Sequence, residues 1–79
     1  MDDKGLVTPG DLGRLIRARR KEVGLTADDA ARAAGVSRRL LLELEQGKRD
    51  NVSLAKALDI LATLGLRMHV RMRGLPGTE

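Results

Sequence analysis

The chain has 79 residues, 42% of them apolar and 33% charged, and its 15 Lys and Arg against 11 Asp and Glu leave a formal net charge of +4. That is material for one small domain without a second core, and one so small gains stability by associating with another chain. The absence of cysteine excludes disulfides, thiolate nucleophiles and cysteine-held zinc or iron–sulfur centres, and suits a reducing cytoplasm.

Met1-Asp2-Asp3-Lys4 lacks the basic-then-apolar layout of a secretory leader, and the longest run of large apolar residues is Leu40-Leu41-Leu42, so no membrane partner is expected. After a disordered tail over 1–7, Thr8-Pro9-Gly10-Asp11 has the spacing of a capping box with proline at the first helical position. The helix it opens carries Leu12, Leu15, Ile16 and Val23 inward and Arg14, Arg17 and Lys21 outward, and stops at Gly24. Thr26 caps a short alanine-rich helix over 27–34, with Asp28 and Asp29 meeting its dipole and Gly35 ending it. Ser37 caps a third helix, 38–46, closed by Gly47. Two short helices about a glycine turn outline a helix-turn-helix, the second being the one that enters a DNA groove.

Ser53 caps a fourth helix, 54–64, ended by Gly65. Its apolar residues sweep about 220°, more than the roughly 100° stripe one core uses, and Ala57, Ile60 and Leu64 are read as the surplus facing another subunit. Residues 66–73 alternate apolar and polar, as a half-buried strand does. A lone strand has no partner for its backbone, so Leu66, Met68, Val70 and Met72 are expected at a two-fold interface where it pairs with its own copy. The fold class is therefore an all-α helix-turn-helix domain of about four helices over 8–73, with one C-terminal strand shared across a homodimer and a tail over 74–79.

No catalytic set assembles, no cofactor or metal is expected, and the chain is read as no enzyme. His69, the only histidine, falls on the polar face of the strand, a solvated or interface position. The nine glycines are read at element ends and in the tails, so there is no glycine-rich phosphate loop. Arginine predominates among the cations, and its planar fork suits phosphate and guanine; without a single aromatic residue the partner is double-stranded DNA rather than single strands. Arg38 and Arg39, on the first exposed turn of the third helix, are the candidates for guanine O6 and N7, and Glu43, one turn on, for cytosine N4. Leu40 wraps partly into the core and Leu42 is an exposed apolar residue, with a thymine methyl the alternative contact for either. Thr26, Ser37, Lys48, Arg49 and Asn51 are candidate phosphate contacts.

Leu25-Thr26, Ala30-Ala31, Gly35-Val36-Ser37, Leu41, Leu44-Glu45 and Gly47-Lys48 resemble the Cro and lambda-repressor type of helix-turn-helix, the XRE family. Residues 12–20, 35–39, 44–48 and 58–70 look most like HipB-type antitoxin repressors. The resemblance implies a helical dimer on a pseudo-palindromic operator, repression of its own promoter, a HipA-like kinase toxin as second partner and residence on the bacterial nucleoid. It also implies a buried tie between Arg20 and Glu45. Ala27 stands where the family usually has a phosphate-clamping glutamine, and Ala30 where it usually has leucine. The alternatives are a stand-alone repressor, and a protein-interaction module whose basic helices meet an acidic partner.

Overall fold

Four hydroxyl side chains start the four helices of the computed structural model, which describes Leu6 and residues 8–72. Thr8 opens α1 (Pro9–Glu22), Thr26 opens α2 (Ala27–Ala34), Ser37 opens α3 (Arg38–Glu45) and Ser53 opens α4 (Leu54–Thr63); each accepts a backbone N–H three residues on. Each cap satisfies one of the donors a helix start leaves unpaired. At Thr8 the box is reciprocal, since the Asp11 carboxylate accepts the Thr8 N–H at 3.0 Å. The last helical turns are one residue shorter than the pattern suggests, because Gln46 and Leu64 act as C-caps. Leu6 aside, the expected tails over 1–7 and 74–79 lie outside the described residues, as does Arg73.

The helices meet in one core of Leu12, Ile16, Ala30, Ala31, Ala34, Leu41, Leu44, Ala57, Ile60, Leu61 and Leu64, with α1 on α3 and α2 against both α3 and α4. Three alanines on α2 let its backbone come close to its neighbours. Gly13 departs from the expectation that glycines lie at element ends. It sits buried inside α1, where the backbone of Leu44 occupies the place of a side chain.

The expected assignment of the α4 faces is reversed. Ala57, Ile60, Leu61 and Leu64 form a stripe about 100° wide, and all four are buried within the single chain. Ala57, Ile60 and Leu64 are therefore core residues, unavailable to a second subunit. The surplus apolar half is Leu54, Ala55, Leu58 and Ala62, all exposed, with Leu54 at 63% and Leu58 at 41%. Helical spacing measures the width of the arc but not which half the neighbouring helices cover.

No β-strand forms among the described residues of the single chain. Leu66 closes the end of α4, its N–H reaching the Leu61 carbonyl at 2.8 Å, and packs on the core. Beyond it Met68, Val70 and Met72 are exposed, Val70 at 93%. A lone segment offers its own backbone no ladder partner, so the pairing expected of residues 66–73 is one between two copies of the chain.

Candidate nucleic-acid interface

Gly35 sits at φ 73°, ψ 28°, the left-handed geometry that stops α2, and Val36 donates back to the Ala31 carbonyl at 3.0 Å. Two residues later Ser37 Oγ accepts from Leu40 N at 3.0 Å and α3 begins. This tight turn leaves the first residues of α3, Arg38 and Arg39, projecting from the surface and exposed. Below them Leu40 and Leu41 are buried, while Leu42 is half-buried. Leu40 is thus buried, at the edge of the core, rather than a free apolar contact.

A third element locks the face in place. Arg20 of α1 donates from Nε and Nη2 to the two oxygens of Glu45 at 2.7 and 2.9 Å, and from Nη1 to the Leu25 carbonyl at 2.9 Å. Glu45 exposes 1% of its side chain and Arg20 11%. The hydrogen bond to Glu45 raises the Arg20 pKa against the opposing effect of burial, so the guanidinium stays charged. One side chain thereby ties α1, the loop before α2 and the end of α3.

Each outward arginine meets a carboxylate. Arg38 Nε stands 3.0 Å from Asp28 Oδ1 of α2, across the turn. Arg39 Nε donates to Glu43 Oε2 at 3.0 Å, while Glu43 Oε1 accepts from Arg49 Nε and Nη2 at 3.2 and 2.9 Å. The Arg39 bond, then the Arg49 bonds, hold the Glu43 carboxyl below its ordinary range despite partial desolvation. Arg39 remains 85% exposed, Glu43 28%.

The candidate phosphate contacts fall around this face. The Thr26 and Ser37 hydroxyls accept backbone N–H bonds as caps and retain their own O–H donors. Lys48 and Asn51 are exposed and Arg49 is half-buried. Leu40, Arg49, Asn51, Val52, Ser53 and Lys56 line an open groove of about 390 Å³ beside the start of α4. The groove sets two cations next to an N-terminal helix end, an electropositive arrangement.

A helix-turn-helix domain model matches residues 11–73, which include the turn, both arginines and the buried ion pair. The chain belongs to the helix-turn-helix domain family. This is a DNA-binding architecture, and α3 holds the position of the motif's second helix, the one that in such domains enters the major groove. An uncharacterised HTH-type transcriptional regulator of Sinorhizobium fredii is 39% identical over 71 residues, covering 90% of this chain and 92% of the relative. An uncharacterised HTH-type transcriptional regulator of Methanothermobacter thermautotrophicus is 45% identical over 56 residues, 71% of this chain and 78% of the relative. Among the described residues no helix is long and apolar enough to cross a membrane.

Two residues of the candidate interface, Asp28 beside α3 and Lys56 at the groove, escaped the sequence reading. Asp28 was legible only as a dipole-compensating residue, because its partner Arg38 lies across the turn and nothing local announces the pairing. Lys56 fell in the polar sector of α4, where a lysine facing water and one bordering a groove look alike.

Proposed function

We propose that this helix-turn-helix chain is a sequence-specific, double-stranded DNA-binding transcriptional repressor. The observation that carries the reading is the pair Arg38 and Arg39, exposed on the first turn of α3 with long bidentate donors where a major-groove helix meets base edges. The likeness to two HTH-type transcriptional regulators supports the regulatory part. As a homodimer it sets two recognition helices about 34 Å apart on a pseudo-palindromic site and represses by occupying the promoter. The exposed half of α4, Leu54, Leu58 and Ala62, together with Met68 and the apolar positions after it, supplies the apolar surface for that dimer.

The finer reading is an antitoxin that represses its own promoter and binds a HipA-like kinase toxin, and it rests on the likeness of residues 12–20, 35–39, 44–48 and 58–70 to HipB-type repressors. Co-purification with the product of the adjoining reading frame tests that part, and a chain that emerges alone removes it.

Selection of bound sequences from a random duplex pool tests the main reading. A two-fold-related consensus is expected, with affinity falling as salt rises at a log-log slope near 0.9 per phosphate neutralised. Arg38→Ala and Arg39→Ala should each cost about 1 to 3 kcal/mol on the selected site and little on random duplex. A pool that shows no enrichment would leave the interaction-module alternative, in which the same basic face meets an acidic protein.

A further inference from the structure

Arg39 is gripped by its inner nitrogen. Its Nε is spent on Glu43 Oε2, while the two terminal amino groups, which can span guanine O6 and N7, take no partner among the described residues. Glu43 is itself gripped, since Arg49 of the following loop donates twice to its other oxygen. Orientation thus passes from the loop through the carboxylate to the exposed arginine. To turn toward cytosine, Glu43 would have to loosen some of its three charged hydrogen bonds and bring a less neutralised carboxylate among phosphates, both unfavourable. Left in place, it sits in a cluster of net charge +1, which the DNA field favours.

We propose that Glu43 is a positioning residue for base recognition: anchored by Arg49, it holds Arg39 by Nε so that the outer fork of Arg39 is presented to guanine. This rests on the reading of α3 as the recognition helix. The specificity of this chain at that base pair is then set by Arg39 acting with Glu43, and Glu43 reads no base of its own. Arg38 Nε forms an ion pair with Asp28 across the turn, without the second arginine that anchors Glu43.

A double-mutant cycle on selected duplexes, with each base pair of the half-site varied in turn, tests this. Arg39→Ala should lose discrimination for guanine at one base pair by about tenfold or more, and Glu43→Gln should flatten the preference at that same base pair by about three- to tenfold. The double variant should match Arg39→Ala alone, because a positioning residue has nothing left to position. Glu43→Gln altering a different base pair, or adding its loss in full to that of Arg39→Ala, would overturn the proposal while leaving α3 as the recognition helix. Arg39→Ala with unchanged discrimination everywhere would instead remove Arg39 from base reading and defeat the underlying assignment. Thermal unfolding of each variant, read by circular dichroism, confirms that the comparison is between folded chains.

Discussion

A Cβ on Gly13 would stand 1.9 Å from the carbonyl oxygen of Leu44, so α1 and α3 touch backbone to backbone at this point. The obstruction is main chain, which cannot swing aside as a long side chain would. Gly13→Ala is therefore expected to destabilise the fold by about 3 kcal/mol or more, despite alanine's better helix propensity. Urea unfolding measures it, and a loss under about 0.5 kcal/mol would mean the two helices separate at no cost.

Arg20 and Glu45 form a desolvated pair in which each partner leaves an uncompensated charge if the other is removed. Arg20→Ala should cost about 3 to 5 kcal/mol, whereas replacing both residues by apolar ones of similar size, Arg20→Met with Glu45→Leu, should leave stability within about 1 kcal/mol of the parent. Equal losses in the single and double variants, measured by chemical denaturation, would show that Arg20 works mainly through its bond to the Leu25 carbonyl.

The lowered Glu43 pKa gives a pH signature of definite sign. A group whose folded pKa is depressed contributes stability that is fully present above the unfolded value, about 4.3 for glutamate, and lost as pH falls through the lower native value. The stability gap between the parent and Glu43→Gln should stay constant from about pH 6 to pH 8 and shrink progressively as pH falls from the unfolded value through the lower native one, below which a protonated Glu43 resembles glutamine. A gap that widens toward acid would contradict the two-arginine grip.

Leu58 marks the exposed half of α4. Leu58→Lys should leave the helical circular dichroism and the unfolding midpoint of the isolated chain nearly unchanged, since Leu58 lies outside the buried core, while converting the proposed dimer to a monomer in sedimentation. An unaltered dimer mass would place the interface elsewhere, and a collapse of the fold would mean Leu58 supports the core.

Much of the architecture is local and therefore legible. Thr8, Thr26, Ser37 and Ser53 reveal the helix starts because a hydroxyl within three residues of a free N–H competes for it wherever the rest of the chain lies. Arg38 and Arg39 could be placed on an exposed first turn for the same reason. The Arg20–Glu45 tie came instead from resemblance to a family, since no spacing rule connects residues 25 apart.

Which side of a helix is inside belongs to the assembled molecule. On α4 the arc of apolar residues was measurable from 100° steps, yet Ala57, Ile60 and Leu64 became core and Leu58 surface only because α2 packs against one half of it. Gly13 against Leu44, Asp28 beside Arg38 and Glu43 between Arg39 and Arg49 are likewise products of packing. Chain-local chemistry decides where backbone hydrogen bonds start and stop. Contact, burial and charge pairing depend on distances that exist only once the helices are set against one another.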